Sequence, residues 1–174
     1  SCNPFFMDCG VRTGVEKVAR IFEQAGIGQV PGSEVDSIWA RGLRPGREAM
    51  REQSGRSWRV FDTALVSMGQ GFITVSPLQA AMFTAAIANG GTVYRPYIVR
   101  AVRGADGHFR RVPRPVILST LDASEEHLNI VHTGMHQVVH GFDATAPAAR
   151  SAIVELAGKT GTAQIGTPAN RRQN

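Results

Sequence analysis

The chain has 174 residues, 43% of them hydrophobic and 7% aromatic, enough apolar sequence for one core. Its net charge is +5 at pH 7, but the basic residues fall in scattered pairs such as Arg110-Arg111 and Arg171-Arg172. No nucleic-acid module accompanies them, so the charge predicts a solvated basic surface and no nucleic-acid partner, and no apolar stretch approaches the roughly 20 residues of a membrane span.

Asn3-Pro4 reads as the cap and first position of a short helix running to about Arg12. Cys2 and Cys9, seven residues apart on that helix, would be about 10 Å apart, too far for a disulfide, and are expected as small buried hydrophobes. Thr13 and Glu16 have capping-box spacing, and Val15, Val18, Ile21, Phe22 and Ala25 continue at helical period to a stop at Gly26, a helix over about 14–25. Residues 27–57 are broken by glycine and proline and read as an exposed loop. Phe61 to Met68 reads as a short helix and Gly69-Gln70-Gly71 as a tight turn. Ser76-Pro77-Leu78-Gln79 is a capping box, opening a buried helix over about 77–89 whose face is Leu78, Ala81, Met82, Ala85 and Ala86.

Residues 92–102 read as a strand placed at an edge by Pro96, with 109–118 as its partner across an Ala105-Asp106-Gly107 turn. Asp122 and Glu125 have capping-box spacing before a helical stripe of Leu128, Val131, Met135, Val138 and Val139 that ends near His140. His132, His136 and His140 recur every four residues, a spacing that can chelate zinc, but no metalloprotease glutamate accompanies them; His136 and His140 fall off the apolar stripe and read as a solvated face. Residues 152–157 lead into an expected strand carrying Lys159-Thr160-Gly161-Thr162-Ala163-Gln164, and residues 165–174 form a polar tail expected to be disordered.

The chemistry concentrates at the two ends. Lys159-Thr160-Gly161-Thr162 offers a cation, hydroxyl donors and a glycine that leaves room for a substrate backbone. A phosphate-binding Gly-x-x-x-x-Gly-Lys-Thr loop fits poorly, because the first glycine position is Ile153, and a nucleotide site is left as a distant third expectation. Ser1-Cys2-Asn3 is the other half, a Ser-x-Asn at a helix start. Together they form two of the three motifs of penicillin-recognising acyl transferases; the third, Ser-x-x-Lys, is absent, since no serine here has lysine three positions later.

The combination resembles the transpeptidase domain of class B penicillin-binding proteins, most of all the elongation type. It is carried by Ser1-Cys2-Asn3-Pro4-Phe5-Phe6, Ser67-Met68-Gly69-Gln70-Gly71, Ser76-Pro77-Leu78-Gln79, Ala88-Asn89-Gly90-Gly91, Arg95-Pro96-Tyr97 and Ala157 to Gln164. The resemblance implies an α+β fold: residues 1–164 hold most of a helical subdomain plus a fringe of an antiparallel sheet. It implies that the chain is the rear portion of a catalytic domain, with the nucleophilic serine in preceding sequence. It implies a D,D-transpeptidase that acylates this serine with a stem peptide ending in D-Ala-D-Ala, which β-lactams mimic. Ser1 would relay a proton to the leaving group, Asn3 hold the substrate amide, and Lys159 keep the site positive. Thr160 and Thr162 would receive the terminal carboxylate beside Gly161, and the Thr162 N–H would serve the oxyanion. It implies no cofactor or metal, a location at the inner membrane facing the periplasm, and a membrane glycan polymerase as partner. A peptide-binding sensor without turnover and a serine β-lactamase are the competing expectations; the Gly69-Gln70-Gly71 to Ser76-Pro77 block resembles the transpeptidases.

Overall fold

The computed structural model describes residues 2–32, 39–111 and 114–162. Its helices are α1 (Asn3–Thr13), α2 (Val15–Gln24), α3 (Arg47–Ser54), α4 (Val60–Val66), α5 (Pro77–Ala88) and α6 (Glu125–His140). Its strands are β1 (Thr92–Tyr94), β2 (Val102–Arg103), β3 (Phe109–Arg111) and β4 (Ile117–Thr120). β1 pairs antiparallel with β4, Thr92 opposite Thr120, and β2 pairs with β3 as a separate hairpin. This is the expected α+β class, with helix dominant and the sheet marginal.

The first two helices meet at one residue. α1 runs through Thr13, so Thr13 has helical backbone and cannot cap α2; the expected capping box with Glu16 does not form. Gly14 does the work instead at φ 84°: its N–H closes α1 on Gly10 O at 2.9 Å, and its carbonyl accepts the first α2 bond from Val18 at 3.3 Å. Asn3 is likewise not a cap but lies in the first turn behind Cys2. The cysteines are unpaired, as expected, though Cys2 is exposed and not buried. α2 ends as anticipated at Gly26: the Gly26 N–H reaches Glu23 O at 2.9 Å and the Ile27 N–H reaches Phe22 O at 3.0 Å, both bonds of a Schellman stop.

The 27–57 stretch contains α3, which the loop expectation missed. Its two flanking glycines, Gly46 and Gly55, are its ends, and its one anchor is the fully buried Met50. One large apolar side chain in eight residues, beside Ala49, generates no period to detect. α4 starts on a charged latch. The Asp62 carboxylate accepts the Arg59 N–H at 2.7 Å and both guanidinium nitrogens of Arg56 at 2.8 Å, while only 8% exposed.

α5 carries the expected capping box, with Gln79 N–H on Ser76 Oγ at 3.2 Å and Ser76 N–H on Gln79 Oε1 at 3.0 Å. Gln79 is wholly buried, and its NH2 group also donates to Gly26 O at 3.2 Å and Arg41 O at 2.7 Å. One amide thus joins the end of α2, the following loop and the start of α5. Beside it lies the core of Ala25, Ile27, Met82, Ala86, Val93 and Leu121, with Phe22, Trp39, Phe83 and Ile87 packed around it. The expected buried face of α5 is only half buried: Met82 and Ala86 point inward, whereas Leu78, Ala81 and Ala85 are exposed.

The expected 92–102 strand is broken. Arg95 still donates to Val116 O at 2.8 Å, but Pro96 has no N–H to extend the ladder, and the chain restarts as β2. α6 is capped by Ser124, whose Oγ accepts from His127 N–H at 3.2 Å, and not by Asp122. Asp122 turns to α2, pairing with Arg20 at 3.1 Å and donating its N–H to Gln24 Oε1 at 2.9 Å. Of the α6 stripe, Leu128 and Val139 are buried and Val131 is exposed.

Two stability tests follow from these contacts. Gln79→Ala strands two carbonyls and an N–H in the interior, and is expected to cost about 2–4 kcal/mol by urea unfolding. Asp62→Asn is expected to cost about 2 kcal/mol at pH 7. Hydrogen bonds from Arg56 hold the Asp62 carboxyl below its ordinary value. Its stabilisation is therefore full above the unfolded-state value near pH 4 and lost as pH falls through the lower folded value. The gap between wild type and Asp62→Asn should close in acid unfolding below about pH 4.

Candidate active-site segment

The Lys159 segment is not a strand in residues 151–162, contrary to expectation. A strand is defined by a ladder, and no described strand lies alongside to provide one. Discrete contacts hold it instead. Upstream, the Gly158 N–H donates to Met135 O of α6 at 3.0 Å, His136 Nε2 meets Glu155 Oε1 at 2.7 Å, and His140 Nε2 meets Leu156 O at 3.1 Å. The two imidazoles stack with centroids 4.5 Å apart. The expected solvated histidine face is therefore a clamp, and His132, one turn earlier, bonds Ile87 O at 2.7 Å to tie α6 to α5. Downstream, Gln70 Nε2 donates to Thr162 O at 2.7 Å.

Between these fastenings, residues 159–162 are exposed. The Lys159 ammonium bonds Thr160 O at 2.9 Å and Thr160 Oγ1 at 3.3 Å. Among the described residues, nothing beyond its chain neighbours lies within 4 Å of where a Cβ on Gly161 would stand. A cation, two threonine hydroxyls and open space above a glycine make a surface able to take a carboxylate.

The other motif stands on the same support. α1 packs on α4, and at Gly10 the approach is so close that a Cβ would overlap the Ser67 side chain. Ser67 Oγ in turn donates to Thr63 O at 2.7 Å. Asn3 sits exposed in the first turn of α1, with no side-chain hydrogen bond among the described residues. Ser1 lies outside the described residues. The structure thus brings Lys159 and Thr160 into direct contact and fastens Thr162 to the turn after α4; no described hydrogen bond joins Asn3 to residues 159–162.

Sequence reasoning missed the roles of Gln70, His136, His140 and Glu155. A polar residue flanked by two glycines, as Gln70 is, was the available signal for the first. For the histidines there was none, because nothing local shows that residues 155–158 return along α6.

Comparison with known proteins extends this picture. The family described as penicillin binding protein transpeptidase domain matches residues 1–174. The chain is 32% identical over 166 residues to the peptidoglycan D,D-transpeptidase MrdA of Acinetobacter baumannii, covering 95% of this chain and 24% of that protein. Among solved structures, PBP2 of Helicobacter pylori in its complex with MreC is 27% identical with a TM-score of 0.73, over 94% of this chain and 29% of that one. The D,D-transpeptidase domain of a peptidoglycan glycosyltransferase from Eggerthella lenta is 25% identical with a TM-score of 0.76, over 94% and 40% of the two chains. The chain spans about a quarter of the length of the curated relatives it matches. Matched along its whole length, and similar to relatives of the MrdA and PBP2 type, this chain belongs to the penicillin-binding protein transpeptidase family.

Proposed function

We propose that this chain is the Ser-x-Asn to Lys-Thr-Gly portion of a peptidoglycan D,D-transpeptidase. The observation that carries the reading is the exposed Lys159-Thr160-Gly161-Thr162 segment, fastened at both ends within a chain that the family matches throughout. In the reaction, a serine hydroxyl from another part of the protein attacks the penultimate D-alanine carbonyl of a stem peptide. The C–N bond breaks, the terminal D-alanine leaves with the serine's proton, and an amine from a neighbouring stem displaces the serine ester. Ser1 passes the proton to the departing nitrogen. Asn3 holds the substrate amide. Lys159 supplies positive charge, Thr160 and Thr162 bond the terminal carboxylate, and the Thr162 N–H faces the developing oxyanion.

No Ser-x-x-Lys occurs in this sequence, so the chain alone has no nucleophile for this route. Its setting is the extracytoplasmic face of the inner membrane, where stem peptides lie, in company with a membrane glycan polymerase. No described helix is long and apolar enough to cross a membrane, so an anchor would lie elsewhere in the protein.

Fluorescent penicillin tests the reading. The 174-residue chain is expected to take no covalent label, and an adduct on it would refute the proposed division of labour. In the longer protein that carries the serine, labelling is expected, and Lys159→Ala should slow acylation by roughly 100-fold, the scale of losing one charge-stabilising group. Wild-type labelling rates in that variant would remove Lys159 from the site.

A further inference from the structure

The positive excess of this chain has a single address. Residues 95–114 contain Arg95, Arg100, Arg103, Arg110, Arg111 and Arg114 against one acid, Asp106, a net of +5 that equals the net charge of the whole chain. The other 154 residues balance, with 13 basic and 13 acidic side chains. The described residues of this stretch form the β2–β3 hairpin and its flanks, where Arg100, Arg103, Arg110 and Arg114 are all exposed. The Arg103 guanidinium is steadied 5.0 Å above the centre of the Phe109 ring, and Arg110 by Asp106 at 2.7 Å.

At the root of the hairpin is a cleft of about 310 Å³ between α5 and the exit of β1, lined by Leu78, Ala81, Ala85, Tyr94, Arg95 and Tyr97. Tyr94 and Tyr97 are 43% and 47% exposed. The Arg95 Nε is buried and has no hydrogen-bond acceptor among the described residues.

These features fit one kind of occupant. Like charges gathered on one hairpin repel each other, and a polyanion relieves that repulsion. The cations are all arginines, whose planar forks match carboxylates bidentately. Partly exposed tyrosines, apolar in body and polar at the hydroxyl, suit sugar rings. A bilayer surface is the competing occupant, since Ile98, Val102 and Phe109 are exposed beside the arginines, and the vesicle arm of the test below separates it from the strand. We propose that the β2–β3 hairpin and the cleft at its root bind an uncross-linked peptidoglycan strand, arginines on the stem-peptide carboxylates and tyrosines on the sugars, using none of residues 159–162. The inference rests on the transpeptidase reading for the identity of the polymer.

Binding of fluorescently tagged, uncross-linked peptidoglycan strands to the 174-residue chain, followed by anisotropy, tests it. Arg100→Gln/Arg103→Gln/Arg110→Gln/Arg114→Gln should weaken binding at least about tenfold, and raising NaCl from about 50 to 200 mM should weaken the wild type by roughly tenfold. Tyr97→Ala should lose several-fold affinity with the salt dependence kept. A control removing charge elsewhere, Lys17→Gln/Arg41→Gln/Arg51→Gln, should leave binding within about twofold. Absence of wild-type binding, equal loss in the control, or tighter binding to phosphatidylglycerol vesicles than to strands would overturn the proposal. Fluorescent penicillin labelling of the longer protein separates the two ideas. The hairpin variant should label at the wild-type rate; a wild type that never labels sinks the transpeptidase reading, while strand binding is still read directly.

Discussion

The Gln79 side chain has no contact with water, and each of its polar atoms is committed to a different stretch of backbone. Its oxygen accepts from the start of α5, and its nitrogen donates to the Gly26 stop after α2 and to the loop at Arg41. Two of these three partners are remote in sequence, so the bonds form only once the α2 stop, the loop and α5 have come together. The apolar cluster of Ile27, Met82, Ala86 and Val93 supplies non-directional attraction. The amide supplies register, because a buried carbonyl left without a donor is penalised more heavily than a slightly shifted methyl. The β1–β4 pair, through Val93 and Leu121, and the α6 contact through His132 and Ile87 are built outward from this junction.

From that frame the Lys159 segment hangs by side chains. His136 and His140 hold its approach, and Gln70 holds its exit. These contacts are substantially exposed, and exposed pairs contribute about 1 kcal/mol or less each. Their role is directional: they choose where an otherwise unpaired stretch of backbone lies. The α4 turn is common to both motifs, touching Thr162 through Gln70 and carrying α1 through the Ser67–Gly10 contact.

What could be read from the sequence was whatever local chemistry dictates. The Ser76–Gln79 capping box, the Gly26 stop and the amphipathic α2 are set by neighbours within four residues, and all three are present. So was the family likeness, whose motifs are short and contiguous. The misses share a cause. Thr13 and Asp122 had capping spacing, but Thr13 was drawn into α1 and Asp122 was claimed by Arg20 and Gln24. α3 hid behind a single anchoring methionine. The second and third bonds of Gln79 and the histidine clamp are long-range, and no window on the sequence contains both partners.

The contact at Gly10 has one more implication. Two turns separate it from Asn3, roughly 10 Å along the helix axis. With no free space against Ser67, α1 is seated as a lever on a tight fulcrum. Tilting the bar by only about 10° would swing its far end through nearly 2 Å, so a methyl group added at the pivot would be felt chiefly by the asparagine at the tip.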